Sequence, residues 1–318
     1  MPLVVGIDEA GYGPALGPLV IGASCWMVRP DRVDSCYWRC LDTVLVNGPD
    51  AGSVRLPVAD SKLVYDRDRG ICTLERSVLA FAHALDHPHA TLAEWLASLG
   101  VETPLRSQMP WYQILRRPLP CDPQRSAYAG VSARLRKAMA AAGVECRALR
   151  VAIIPEDAFN ERVRATRNKA SIVVEHVLQH MQQAAALAPD ADVYFRVDRL
   201  GGRTNYRTLL QESFPDRALH ELEVTPNCSR YRLSGRNDWY VEFRVDADRE
   251  RLPVALASMV AKYIRELLMM EFNDWWRRHE PALKPTAGYR NDADRFLRDI
   301  APILPNVGLE PDRFARLR

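Results

Sequence analysis

Asp8 and Glu9 stand at the end of an apolar run, Val4-Val5-Gly6-Ile7, and lead into a glycine-rich turn, Ala10-Gly11-Tyr12-Gly13-Pro14, before a second apolar run at 19–23. An ionised carboxylate carried on a buried strand needs a cation or several donors to offset its lost hydration, so the pair reads as a metal site. The same residues also fit a hairpin turn with two solvated acids. Ser258, Lys262 and Glu266 recur every four residues and share one helix face. Read alone, the last two are an ion pair worth roughly a few tenths of a kcal/mol. Ser61 and Lys62 could donate to a phosphate, although Asp60 and Ser61 are equally good helix N-caps. Asn168 and Lys169 open a helix after a basic run at 162–167, a second place where a phosphate could be met. His176 and His180 have metal-like spacing but lack the H-E-x-x-H order of a zinc protease.

Five segments in one order resemble the ribonuclease HII (type 2 ribonuclease H) family. The first, Asp8-Glu9-Ala10-Gly11-Tyr12-Gly13-Pro14, is similar to the family's DEAGRGP, with Tyr12 where the family has arginine. Asp60-Ser61-Lys62-Leu63 resembles DSKKL, and the stretch at 193–198 is a strand ending in an acid, Asp198. Residues 257–266 are similar to ASILAKVTRD, with Glu266 in place of the aspartate, and Thr286-Ala287-Gly288-Tyr289 resembles the C-terminal GY segment. The resemblance implies the ribonuclease H fold and a four-carboxylate cluster of Asp8, Glu9, Asp198 and Glu266 as catalytic and metal-binding groups. Four converging acids make sense only around cations, and all-oxygen ligands suit two Mg²⁺ or Mn²⁺ ions per site. Two such ions support in-line displacement at phosphorus. The implied substrate is the RNA strand of an RNA/DNA hybrid, or a ribonucleotide within duplex DNA. Gly11, Tyr12, Gly13, Ser61, Lys62, Asn168, Lys169, Lys262 and Tyr289 are the implied substrate contacts. The competing functions are a nucleic-acid-binding member that has lost catalysis, and a nuclease acting on another structured nucleic acid.

The elements that must position these groups follow from periodicity. Residues 3–28 read as a strand hairpin, 61–85 as helical, and 149–154 as a strand; 168–187 reads as a helix, 193–198 as a strand, and 204–213 as a helix. Strands follow at 219–224 and 239–245, and a long helix at 254–277 begins a helical C-terminal portion. Strands alternating with helices after a hairpin predict an α/β fold, a central mixed sheet flanked by helices, in a single domain over 1–318. The stretch 86–146 has no counterpart in the family pattern and reads as an insertion with helices near 91–99 and 130–142. Its arginines, Arg116 and Arg117 among them, could add phosphate contacts, and Trp111 and Tyr112 could stack on bases; alternatively it is a surface excursion. A formal charge of +3 does not by itself argue for nucleic acid. Seven scattered cysteines form no disulfide framework. Met1-Pro2-Leu3 enters the first strand without a signal pattern, and no run approaches the roughly 20 apolar residues of a membrane span, so a cytoplasmic location is expected. The sequence names no protein partner.

Overall fold

The first strand, β1 (Leu3–Ala10), is apolar on both faces and buried on both, as a central strand must be. In the computed structural model, which describes residues 1–49, 54–65, 70–87, 89–103, 105–123 and 127–317, it is the third of seven strands. The others are β2 (Leu19–Val28), β3 (Val144–Ile154), β4 (Val193–Asp198), β5 (Ala218–Val224), β6 (Cys228–Ser234) and β7 (Trp239–Arg244). Their order across the sheet is β3-β2-β1-β4-β7-β6-β5. The β1–β4 and β4–β7 pairs are parallel and the remaining pairs antiparallel. This is the expected fold class, a mixed sheet covered by helices.

The helices that pack on the sheet or frame its edge include α1 (Ser61–Val64), α2 (Cys72–Ala84), α3 (Leu92–Ser98), α4 (Ala129–Ala142), α5 (Glu156–Thr166), α6 (Lys169–Ala185), α7 (Arg207–Ser213), α8 (Ala247–Glu250), α9 (Leu252–His279) and α10 (Arg290–Ile300). One core is formed by one sheet face with α9 and the helices α2, α3 and α4, which contribute buried residues to it; a second lies between the opposite sheet face and α5, α6 and α7. Helix α9 is buried around most of its circumference, as a helix between two layers must be.

Two glycines let α9 lie directly on the hairpin. A Cβ on Gly6 would come 2.1 Å from the Pro253 carbonyl carbon, and one on Gly22 would come 2.4 Å from the Ala257 oxygen. Backbone cannot yield as a side-chain tip can, so Gly6→Ala must push α9 off the sheet. A destabilisation of about 2 kcal/mol, read as a lower urea midpoint at constant slope, is expected. An unchanged midpoint would mean that α9 does not sit as described.

Some boundaries depart from the sequence reading. The strand expected at 149–154 begins at Val144, just after Gly143 closes α4 in the left-handed conformation (φ 65°). The helical stretch expected at 61–85 is two helices, with 66–69 outside the described residues. Helix α5 and strand β6 were not anticipated. Within 86–146, two aromatic rings pack against α9: Trp95 lies 5.3 Å from Tyr263, ring to ring, and Trp111 lies 4.8 Å from Phe272. Trp111 and Tyr112 are buried, and the Tyr112 hydroxyl donates to Glu156 at 2.8 Å, so neither ring is free to stack on a base. Arg117 is held by Glu271 at 2.7 Å and Asp274 at 2.5 Å, whereas Arg116 is exposed. Among the described residues no helix is long and apolar enough to cross a membrane.

Candidate active site

Parallel pairing of β1 with β4 puts Ile7 opposite Val197, so the next residues, Asp8 and Asp198, emerge side by side at the carboxyl ends of the two strands. That edge is where parallel sheets collect ligands. Asp8 and Glu9 line a cleft of about 300 Å³ there, together with Asp198. The neighbouring strand β7 ends close by, and the turn after it contributes Asp246 and Asp248 to the same cleft. Asp246 adopts a left-handed conformation (φ 53°) that aims this turn back toward β4, and the Ala247 N–H donates to Asp198 Oδ1 at 2.9 Å.

Opposite stands the short α1. Its N-cap Asp60 accepts from the Lys62 N–H at 3.0 Å and lies 3.3 Å from Arg249 Nη2, so Ser61 and Lys62 line the cleft while Asp60 fixes their turn. Ser258 Oγ on α9 lies 3.2 Å from Ser61 Oγ, and the Ser258 side chain is also hydrogen-bonded with the Asp8 carboxyl. The cap reading holds at Asp60, and Ser61 and Lys62 are lining residues of the cleft.

The electrostatics of the cleft are one-sided. Burial, then the charges of Glu9, Asp198 and Asp248, push the Asp8 carboxyl well above the ordinary carboxylate range. Burial followed by Asp198 pushes Glu9 up to about 7. Asp248 rises to about 6 through burial, Asp60 and Asp198, and burial also raises Asp198. Among the described residues no group of three or more His, Cys, Asp or Glu side chains is already arranged to hold a metal ion. The acids share a cleft and a field without being drawn into a closed ligand set.

A linked pH response follows. Glu9 binds its proton more tightly folded than unfolded, so its contribution to stability is full below the ordinary 4.5 and is lost as pH rises through about 7. In EDTA the protein should therefore lose roughly 2 kcal/mol between pH 5 and pH 8 from this group alone. Mn²⁺ should raise the melting temperature markedly at pH 8 and little at pH 5. An equal shift at both pH values would exclude these acids as the binding groups.

Glu266 is held by its neighbours on α9. It does not line the cleft; Lys262 Nζ holds it at 2.7 Å and Arg265 Nη1 lies 3.5 Å away. Glu266 lies about 12 Å along the axis from Ser258 and one turn beyond Lys262, which does line the cleft. Asp248 lines the cleft with Asp60 and Asp246, and its charge raises the Asp8 carboxyl; the sequence reading missed it. A local signal exists, since Asp246 and Asp248 closely follow the strand Trp239–Arg244 much as Asp8 and Glu9 stand at the end of β1.

The remaining expected residues divide into lining and flanking groups. Gly11, Tyr12, Gly13, Lys62, Lys262 and half-exposed Tyr289 line the cleft. Gly11 has φ 91°, and a Cβ there would meet Arg265 Nε and the Pro18 oxygen at 2.6 Å, so the turn needs glycine. Asn168 caps α6 by accepting from the Ala170 N–H at 3.0 Å, and Lys169 Nζ sits 4.9 Å from the centre of the Tyr12 ring. Neither lines the cleft itself, so they flank it behind Tyr12. His180 is buried beside the Ile21 carbonyl with its pKa lowered to about 4 by burial, and His176 bonds the Ile172 carbonyl. Both are framework groups.

No protein-family model and no curated protein matches the chain. Among solved structures it is similar to the RNase HII of the PCNA:RNase HII complex from Archaeoglobus fulgidus, at 19% identity and a TM-score of 0.45 over 99% of this chain and 94% of that one. It is also similar to ribonuclease H2 from Pyrococcus horikoshii (16%, TM-score 0.46, 98% and 92% of the two chains). A third likeness is to Bst-RNase HIII in complex with Mn²⁺ (14%, TM-score 0.45, 93% of this chain and 62% of that one).

Proposed function

We propose that this chain is a divalent-cation-dependent nuclease of the ribonuclease H type that hydrolyses the RNA strand of RNA/DNA hybrids or cuts at ribonucleotides in duplex DNA. The observation that carries this reading is the convergence of Asp8, Glu9, Asp198 and Asp248 on one cleft, with the protonated forms of all four favoured by burial and mutual repulsion. Such a cluster at neutral pH either keeps protons or exchanges them for cations, and oxygen donors alone favour Mg²⁺ or Mn²⁺. These four acids would hold the ions, two per site. When bound, a cation pair activates water and stabilises the leaving oxygen at phosphorus.

The chain's own residues supply the remaining parts. Lys62 and Lys262 put positive charge on the cleft wall, where a polyanion must lie. Ser61 and Ser258 orient Asp8 through their hydroxyl pair. The Gly11-Tyr12-Gly13 backbone allows close approach, and the ribose 2′-hydroxyl is the group a close backbone could distinguish from DNA. Tyr289 stands across the cleft, where it can pack beside a sugar.

The deciding experiment is cleavage mapping on three duplexes of one sequence: an RNA/DNA hybrid, a DNA duplex with one ribonucleotide, and all DNA, each with Mg²⁺, Mn²⁺ or EDTA. The reading requires cation-dependent cutting of a ribonucleotide-containing strand to give 5′-phosphate and 3′-hydroxyl ends. Binding without cutting would support a nucleic-acid-binding role, and cutting of all-DNA substrates alone would support a DNA nuclease.

A further inference from the structure

The segment just short of the C-terminus crosses the molecule to reach the glycine turn. Asn160 of α5, fully buried, donates to the Asp312 and Ala315 carbonyls at 3.0 and 2.8 Å and accepts from the Leu317 N–H at 2.8 Å. Phe314 is buried in the α9 core. Between these anchors the Arg316 N–H donates to the Ala15 oxygen at 2.7 Å. The Arg316 side chain, 6% exposed with its guanidinium 4.0 Å from the Phe159 ring centre, donates to the Gly11 carbonyl and, at 3.1 Å, to the Tyr12 carbonyl.

A planar trans peptide points its carbonyl and its N–H in opposite directions. Holding the oxygens of Gly11 and Tyr12 toward Arg316 therefore turns the N–H groups of Tyr12 and Gly13 away from it. Among the described residues neither N–H has a hydrogen-bond partner. Gly11, Tyr12 and Gly13 line the cleft and Arg316 does not. Two successive free N–H groups form the concave donor pair that binds an oxyanion or accepts a hydroxyl lone pair.

We propose that Arg316 is a positioning residue: the C-terminal segment is a strap whose guanidinium fixes the peptide planes of the glycine turn, so that the Tyr12 and Gly13 N–H groups present a preformed donor pair to a phosphate or ribose oxygen of the bound strand. Its ligand rests on the nuclease reading above. A fork with parallel donors matches two adjacent carbonyls as a lysine cannot, and its burial keeps water from competing. The donors meet substrate before and during reaction alike, so their loss weakens binding more than turnover.

The test uses Arg316→Gln and Arg316→Lys in the full chain, with an RNA/DNA hybrid and Mn²⁺. Arg316→Gln should raise KM about tenfold with kcat within about twofold, and Arg316→Lys, which keeps the charge and reaches one carbonyl, should recover part of the loss. In parallel, ¹⁵N NMR of the substrate-free protein should give shifted, less ordered Tyr12 and Gly13 amides in Arg316→Gln, with distant amides unmoved. Unchanged amide order, or a fall in kcat with KM unaltered, would overturn the strap. If the wild-type protein cuts no ribonucleotide-containing duplex, the nuclease reading falls, and the amide spectra still decide whether Arg316 holds the turn.

Discussion

Asp8→Asn or Asp198→Asn should lower turnover on a ribonucleotide-containing duplex by more than a hundredfold while leaving the protein folded. Each substitution keeps the shape of the side chain and removes one negative charge from the centre of the cleft. Catalysis by bound cations is largely electrostatic, and roughly 3 kcal/mol of lost transition-state stabilisation already exceeds a hundredfold in rate. The fold should not suffer, because both carboxyls are destabilised as anions by burial and by neighbouring acids, Asp8 by Glu9 and Asp198, and Asp198 by Asp246. Removing one charge relieves that repulsion, so in EDTA at pH 8 the variants should melt at or above the wild-type temperature. The Mn²⁺-dependent rise in melting temperature should shrink with the activity. Near wild-type cleavage by either folded variant would sink the assignment of the cleft as the catalytic site.

How far the sequence carries depends on whether a signal is local. Strands β1 and β4 are nearly continuous apolar runs that stop at acids, and nothing but a buried strand delivers them, so both were legible with the three carboxylates they carry. The long helix α9 was legible from its apolar length. Strand β6, Cys228–Ser234, was not: its pattern places Arg230 and Arg232 on the opposite face from Tyr231 and Leu233, and charged residues in short alternation look like a loop until a neighbouring strand pairs them. The stretch 86–146 failed for a different reason. Composition reports that Trp111, Tyr112 and Arg117 are present, but only tertiary packing decides whether they face a ligand or the flank of α9. The Tyr12 and Lys169 contact is of the same kind, since 157 residues of chain separate partners that meet only when α6 packs beside the turn.

The sharpest separation of a legible pattern from the actual geometry is expected between Asp248 and Glu266. Helical spacing and a motif both pointed to Glu266, whereas the structure places Asp248 in the field of Asp8 and Asp198 and ties Glu266 to Lys262 and Arg265. Asp248→Asn should therefore reduce turnover more than a hundredfold, on the same electrostatic grounds as Asp8. Glu266→Gln should stay within about fivefold of wild type, because its carboxylate restrains Lys262 and does not face the reacting atoms. It should instead show as stability: a half-screened pair at 13% and 12% side-chain exposure loses its anion, costing about 1 kcal/mol and a few degrees of melting temperature. Asp248→Asn should show the opposite signature, since its raised pKa makes the neutral side chain the easier one to bury without a cation. Measuring the rate in Mn²⁺ and the melting temperature in EDTA for both variants gives four numbers whose signs are fixed in advance. If Glu266→Gln were the inactive variant and Asp248→Asn the merely altered one, the cation site would have to be rebuilt toward Lys262 and Glu266 on α9, away from the turn that carries Asp248.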